Sequence, residues 1–209
     1  SMDTGAKLIV AGCMTVAEKD FVFSVEPHGI IGPRSTEYIM KAVKGEAVFT
    51  ENKVEKPSLI ECNGVVTAIP IAEGCTGNCA YCIVKFARGK IRSFSKDSIL
   101  NAVRRAVSNG GKEIRITAQD ISSYGYDTGE KVDSLLKEIL ATKGEFLVRV
   151  GMMNPKTLLP IFDKVLPLFR HEKLYKFAHI PVQSGDDNVL ARMHRGYKAE
   201  DFRHMVNTP

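Results

Sequence analysis

The 209-residue sequence has no run of about 18 or more apolar residues, so no membrane-spanning helix is expected. Its N-terminus lacks a basic segment leading into an apolar run and a small-residue cleavage site, so no secretory signal is expected. Cysteine is scarce: there are 5, and three of them lie in one short loop. A second C-x-x-C pair is missing, and His171 and His179 lie far downstream. That tells against a structural zinc site, which usually pairs C-x2-4-C with a second pair of ligands. Clustered cysteines without an export signal point to a reducing cytosol, hence a cytoplasmic protein. Strong charge of either sign is also lacking. Lys and Arg number 29 against 24 Asp and Glu, a net charge of +5, too mild by itself to indicate a nucleic-acid partner. Apolar residues at 44% and charged residues at 25% are ordinary for a globular chain. The length suits one sizeable core, with or without a small appended unit.

What the sequence does contain is Gly74-Cys75-Thr76-Gly77-Asn78-Cys79-Ala80-Tyr81-Cys82. Three thiolates in this C-x3-C-x2-C spacing can hold three irons of a [4Fe–4S] cube and leave the fourth open, whereas a closed cluster takes four thiolates. An open iron can bind a cofactor. The glycines let the backbone turn tightly around the cube. Zinc ligands and three buried free cysteines remain as alternatives. The spacing is that of the radical S-adenosylmethionine (SAM) enzymes, whose open iron chelates SAM.

Along the chain, residues 7–14 read as a buried strand that ends at Gly12-Cys13. Cys13 reads either as a site residue at a strand end, the usual place for one in an open α/β sheet, or as a buried free thiol. Residues 26–32, with Pro27, Gly29 and Gly32, read as loop. A short helix follows to about Val43, with Ile39, Met40 and Val43 on one face. Residues 46–66, including Pro57 and an isolated Cys62, read as a link. From Val66 the rhythm is β-α repeated four times. Strands are expected over 66–71, 113–118, 146–150 and 176–182, and helices over 96–109, 132–141, 156–169 and from Asp187 to about His194. A parallel sheet with right-handed crossovers follows from this order.

In such a sheet the working face lies at the C-terminal ends of the strands. Gly110-Gly111-Lys112-Glu113 precedes its strand and therefore reads as a helix stop, not a binding motif. Gln119 follows the second strand and offers an amide oxygen to a ligand's ammonium. Arg149, within the third strand, is expected to be buried facing the barrel or its shell, and so to need a carboxylate, from a protein acid or a ligand. Gln183 and Ser184 follow the fourth strand, where they could meet a ribose. Arg195 could reach a carboxylate or lie on the surface. Lys85-Phe86-Ala87-Arg88-Gly89-Lys90-Ile91-Arg92 reads as a phosphate-contacting lip or a solvated basic loop.

Taken together, Gly12-Cys13-Met14, the cysteine loop, Phe86 to Gly89, Thr117 to Asp120 with Ser123-Tyr124-Gly125, and His179 to Gly185 with Met193 to Tyr197 resemble the methylthiotransferase family of radical SAM enzymes. Gly151 to Pro155 is similar to the archaeal and eukaryotic branch acting on N6-threonylcarbamoyladenosine at position 37 of tRNA. The resemblance implies an α/β fold: a partial parallel (β/α) barrel of about four units (residues 57–209), preceded by the remnant of an α/β leading domain (residues 1–56). It implies a [4Fe–4S] cluster on Cys75, Cys79 and Cys82, reductive cleavage of SAM to a 5′-deoxyadenosyl radical, and replacement of an adenine C–H by a methylthio group. It implies SAM contacts from Tyr81, Gln119, Arg149, Gln183, Ser184 and Arg195. Cys13 matches a ligand of a second, auxiliary [4Fe–4S] cluster, expected only in the full-length enzyme because its two partner cysteines are absent from this sequence. The partners implied are tRNA and a reducing electron donor. Six barrel units are expected where four are present, so the chain reads as a piece of a longer enzyme, and self-association through an open sheet edge is expected. Methylthiolation of a ribosomal-protein aspartate, and a non-catalytic iron–sulfur or zinc module with RNA affinity, are the alternatives.

Overall fold

The computed structural model of the chain describes residues 5–49 and 64–208. Pro57, Cys62 and the expected boundary between residues 56 and 57 lie outside the described residues. The chain divides into two compact units, Ser1–Val54 with Cys82–Gly89, and Glu55–Tyr81 with Lys90–Pro209.

In the first unit, β1 (Ile9–Ala11), β2 (Gly29–Ile31) and β3 (Ala47–Val48) form a parallel sheet in that order. Short helices α1 (Met14–Ala17), α2 (Lys19–Ser24) and α3 (Ile39–Val43) connect them. The segment 82–89 contributes α4 (Val84–Arg88), which packs against α1. Ile31, Ala42 and Val48 form the core of this unit. Two expectations are corrected here. Residues 26–32 are not all loop, because Gly29 opens a strand. A Cβ on Gly29 would stand 2.0 Å from the Ala42 carbonyl oxygen. The glycine therefore serves a close helix–strand approach, a use that reads like a turn in sequence. Residues 46–66 include β3 and the start of a further strand, so they are not all link. On α3 the face of Ile39, Met40 and Val43 is exposed, and the small Ala42 is the buried residue. Replacing Gly29 by Ala is expected to destabilise this unit by about 1–3 kcal/mol, since backbone on backbone cannot rotate away. A thermal melt checks it; an unchanged melt would mean that α3 shifts freely on the strand.

The second unit is built on a parallel sheet of β4 (Val66–Pro70), β7 (Glu113–Thr117) and β8 (Leu147–Val150), in that order. A two-stranded antiparallel ribbon, β5 (Ala72–Glu73) and β6 (Arg92–Ser93), flanks the cysteine loop in sequence. Helix α5 (Lys96–Ser108) begins where the Ser95 side chain accepts from the Ser98 N–H at 3.3 Å. It ends at Gly110, whose φ of +92° is left-handed. Helix α6 (Val132–Leu140) follows β7. Ile99, Leu100, Val103 and Ala106 of α5 and Leu135, Leu136 and Ile139 of α6 are buried with Ile69, Ile114, Ile116, Val148 and Val150 of the sheet. The strands alternate: those residues face the helices, while Arg115 and Arg149, Cα partners across β7 and β8, face outward.

The third helical region departs from one continuous helix. It breaks into α7 (Pro155–Leu158), a 3-10 turn (Leu159–Ile161), α8 (Phe162–Val165) and a second 3-10 stretch (Leu166–Arg170). Pro160 and Pro167 cannot donate to the α ladder, so the chain tightens after each apolar turn while keeping its buried face. The expected fourth strand over 176–182 is also corrected. The chain meets β8 through one bridge, Val148 to Leu174, and past the end of β8 the Met153 N–H donates to the His179 carbonyl at 2.9 Å. Beyond that no ladder continues; Pro181 has no N–H, and among the described residues no strand lies on its other side. Two further helices, α9 (Asp187–Arg192) and α10 (Ala199–Asn207), complete the described chain. Among the described residues no helix is long and apolar enough to cross a membrane.

Candidate functional site

The cysteine loop leaves β5 through Gly74, at φ +76°. Cys75, Cys79 and Cys82 are free thiols and half-buried. Gly77 lies against two of the sulfurs: its N–H donates to Cys75 Sγ at 3.2 Å, and a Cβ there would stand 3.2 Å from Cys75 Sγ and 3.7 Å from Cys79 Sγ. A side chain at this position would crowd the sulfurs, so glycine is the residue that fits. Cys82 opens the segment counted with the first unit. Among the described residues no three His, Cys, Asp or Glu converge as ligands of one ion must. Thiolates of an iron–sulfur cube each bind their own iron, which sets them wider apart than the ligands of a single ion.

The loop is held by the turn between α9 and α10. Ala80 N–H donates to the Met193 carbonyl at 3.1 Å. His194 at φ +55° and Gly196 at φ +68° are both left-handed, so the backbone bends on each side of Arg195. The Arg195 side chain is 6% exposed. Its Nη1 donates to Cys79 Sγ at 3.1 Å and to Tyr81 Oη at 3.3 Å, and its Nη2 to Asn154 Oδ1 at 3.2 Å. Burial lowers its pKa, but Tyr197 and Cys79 outweigh that and hold the guanidinium above its ordinary value. Its Nε is buried without a partner.

Asn154 in turn caps α7, accepting from the Lys156 N–H at 3.2 Å, while its own N–H donates to Asp120 Oδ1 at 3.0 Å. Asp120, fully buried after β7, also accepts from the Ser122 N–H at 3.2 Å, from Ser122 Oγ at 2.7 Å and, on Oδ2, from Thr157 Oγ1 at 2.7 Å. A chain of hydrogen bonds therefore runs from the end of β7 through the start of α7 to the cysteine loop. Sequence reasoning missed Asn154 and Thr157. The available signal was Asn before Pro, the pairing of a helix N-cap with proline at the first helical position.

The other expected residues fall as follows. Gln119 is half-buried at the C-terminal end of β7, and its Oε1 is buried with no hydrogen-bond partner. Buried acceptors without partners are uncommon and cost about 1–3 kcal/mol, so this oxygen is suited to a donor from a ligand. Arg149 is a correction: it is exposed, not buried, and its guanidinium rests 5.2 Å from the centre of the Phe177 ring. The strand alternation that buries Val148 and Val150 turns it to the open face. Beside it, Arg115 Nε donates to Glu113 at 2.6 Å and Tyr175 Oη to Glu113 at 3.1 Å. The Arg115 bond holds the Glu113 carboxyl below its ordinary pKa. Glu113 thus belongs to the N-terminal end of β7 and the open face, as its place after Gly110-Gly111 implies. Gln183 is exposed at φ +71°, uncommon for a non-glycine residue. Ser184 Oγ accepts from the Asp186 N–H at 3.1 Å.

Of the basic stretch, residues 85–89 are counted with the first unit and residues 90–92 with the second. Arg92 pairs with Glu73 at 3.6 Å across the β5–β6 ribbon. In the first unit, Arg88 Nε donates to Cys13 Sγ at 3.2 Å, and Lys85 Nζ lies 5.2 Å from the centre of the exposed Phe86 ring. Cys13 is half-buried just after β1. In the segment after Gln119, Tyr124 donates to the Phe94 carbonyl at 3.1 Å; burial, aided by Glu130, Asp127 and Glu138, pushes its pKa up to about 12. Gly125, at φ +83°, is fixed by the Glu130 carbonyl, which a Cβ would meet at 2.0 Å.

Residues 69–208 match the radical SAM superfamily. A protein of Pyrococcus abyssi named "Probable threonylcarbamoyladenosine tRNA methylthiotransferase" is 41% identical over 98% of this chain. A protein of the same name from Methanothermobacter thermautotrophicus is 39% identical over 95%. The threonylcarbamoyladenosine tRNA methylthiotransferase of Drosophila melanogaster is 31% identical over 99%. The chain spans about half the length of these archaeal relatives, 51% and 49%, and 40% of the fly protein. Among solved structures, the cobalamin-dependent SAM radical enzyme OxsB, with aqua-cobalamin and SAM bound, superposes with a TM-score of 0.67 at 14% identity over 92% of this chain and 33% of its own. The radical SAM methyltransferase TsrM of Kitasatospora setae, with tryptophan and a SAM analogue bound, gives 0.54 at 17% identity over 69% of this chain and 28% of its own. These two likenesses show the fold, a partial radical SAM barrel. With the cysteine loop in place and residues 69–208 matched to its model, the chain belongs to the radical SAM superfamily.

Proposed function

We propose that the protein of which this chain forms part is a radical SAM methylthiotransferase that converts N6-threonylcarbamoyladenosine in tRNA to its 2-methylthio derivative. The observation that carries this reading is the cysteine loop, with N–H donors aimed at the sulfurs of Cys75 and Cys79, in a chain aligned almost end to end with relatives of that name. Cys75, Cys79 and Cys82 are the residues that would hold a [4Fe–4S] cluster. The thiolate is the form of cysteine that binds iron. When bound, the cluster supplies the electron for reductive cleavage of SAM.

The protein's own part is to orient the cofactor and the base. Gln119 Oε1, buried and unpartnered, is the acceptor proposed for the SAM ammonium. Gln183 and Ser184 are proposed to contact its ribose, and Arg149, on the open face of the sheet, a carboxylate. Tyr81 and Arg195 order the loop. Residues 1–56 are proposed as the end of a leading domain in which Cys13 contributes to an auxiliary cluster, and residues 57–209 as the radical SAM core. An external one-electron donor and tRNA are the proposed partners.

The test is anaerobic loading of the full-length protein with iron and sulfide, then incubation with SAM, a reductant and tRNA carrying the threonylcarbamoyl group, and nucleoside analysis of the tRNA. The expected product is the methylthio nucleoside, with SAM consumed. Unchanged tRNA despite SAM cleavage would reject the substrate assignment. Gln119→Ala is expected to weaken SAM binding at least tenfold while leaving iron content intact. Isothermal titration of the iron-loaded variant checks it, and wild-type affinity would remove Gln119 from the site.

A further inference from the structure

We propose that Arg195 is a positioning residue whose guanidinium, pinned on the Cys79 thiolate, raises the reduction potential of the cluster held by the cysteine loop. This inference rests on the cluster reading of Cys75, Cys79 and Cys82. It assigns Arg195 to a sulfur, where the sequence suggested a carboxylate.

The geometry is specific. Both Nη atoms are committed to protein acceptors, Nη1 to Cys79 Sγ at 3.1 Å and Nη2 to Asn154 Oδ1 at 3.2 Å. Among the described residues no carboxylate pairs with Arg195. A cation buried this deeply is costly without an anion. The Cys79 sulfur, once a cluster thiolate, is that anion. The arrangement is also rigid. Left-handed His194 and Gly196 bracket the residue, the Tyr197 ring lies 5.5 Å from the guanidinium carbon, and the Asn154 N–H is fixed by the fully buried Asp120. The hydrogen-bond chain thus ends on a metal ligand.

The sign follows from charge. Reduction adds one electron, taken from an external one-electron donor, and neither makes nor breaks a bond. The added negative charge is shared with the thiolate sulfurs. A cation and an N–H donor against one sulfur stabilise the more negative state, and do so more strongly in a low-dielectric interior. Hydrogen bonds to sulfur and local charge are among the factors that set the potential of such clusters. Arg195 therefore makes the cluster easier to reduce.

The experiment is electron paramagnetic resonance of the iron-loaded protein poised against a dithionite-reduced mediator series, comparing wild type, Arg195→Lys and Arg195→Gln. Arg195→Gln is expected to show at least a tenfold lower ratio of reduced to oxidised cluster at a fixed potential, a shift of about 59 mV for one electron. Arg195→Lys, which keeps the charge, is expected to restore most of that ratio. An unchanged ratio in Arg195→Gln with full iron overturns the proposal and leaves the cluster reading intact. A wild type that takes up no iron overturns both. If Arg195→Gln does not hold iron, Asn154→Ala carries the test: it leaves the arginine but removes an anchor, and the ratio is expected to fall; an unchanged ratio overturns the proposal.

Discussion

Cys75→Ala, Cys79→Ala and Cys82→Ala are each expected to lose the cluster and to reduce SAM cleavage below detection, the largest effect of any single change in this chain. The wild-type chain is expected to carry about four irons after anaerobic reconstitution. Each thiolate holds a separate iron, so a missing one leaves a corner of the cube bound only by sulfide and water. Such a site cannot present one open iron to SAM while fixing the other three. The three variants should therefore behave alike, although Cys75 and Cys79 receive different donors, Gly77 N–H and Arg195. Cys13→Ala should leave the iron count of this chain unchanged, because the two further cysteines that an auxiliary cluster would need beside it are absent from this sequence. Iron determination and the yield of 5′-deoxyadenosine are the measurements. Retained cleavage in any of the three variants, or one tightly held zinc with no iron in the wild type, would overturn the assignment.

Much of the second unit was legible because its elements bury one face at a regular period. Ile99, Leu100, Val103 and Ala106 recur at helical spacing, and Ile114 with Ile116, and Val148 with Val150, at strand spacing. Those patterns fixed β7, β8, α5 and α6 to within a residue or two. The first unit was less legible because its strands are two or three residues long and its contacts depend on small residues. Gly29 and Ala42 carry almost no hydrophobic signal, yet their close approach sets the packing of α3. The apolar face of Ile39, Met40 and Val43 is exposed, and no hydrophobic stripe marks the side of α3 that packs. The segment 176–182 misled for a related reason. Its residues have strand character, but a strand also needs a ladder, and pairing partners are not written in local sequence.

The site divides along the same line. The cysteine spacing and the placement of Gln119 at a strand end could be read directly, because both are local. Arg149 was misjudged because its burial depends on which face of the sheet the helices cover. The link from Asp120 through Asn154 to Arg195 spans 75 residues and three loops, and no spacing rule announces it. What marks it in the structure is burial: Asp120, Ser122, Asn154, Thr157 and Arg195 are all buried polar residues, each bonded to another of the set.

That buried set leads to the second large effect. Asp120→Ala is expected to destabilise the chain by about 3–5 kcal/mol, more than removal of one exposed ion pair, which costs about 1 kcal/mol or less. Four neutral donors converge on the carboxylate: the Ser122 N–H and hydroxyl, the Asn154 N–H and the Thr157 hydroxyl. Among the described residues no Lys or Arg pairs with it, so these donors alone compensate its burial. Removing the carboxylate strands two backbone N–H groups in the interior. The two hydroxyls can turn to each other or to the Asn154 carbonyl, which limits the loss. Asp120→Asn separates charge from shape. An amide oxygen in the Oδ1 place still accepts from Ser122 and Asn154, and the amide nitrogen can donate to Thr157 Oγ1, itself free to donate to the Asn154 carbonyl at 3.1 Å. The cost of Asp120→Asn is therefore expected to be nearer 1 kcal/mol. Chemical denaturation of the two variants side by side measures the difference. Equal stabilities would mean that the carboxylate's negative charge, rather than its acceptor geometry, holds the loops together; a wild-type stability for Asp120→Ala would mean that the hub is not a hub. The same comparison reaches the cysteine loop, because Asn154 freed from Asp120 no longer fixes Arg195. Asp120→Ala is expected to lose iron faster than Asp120→Asn even at temperatures where both remain folded.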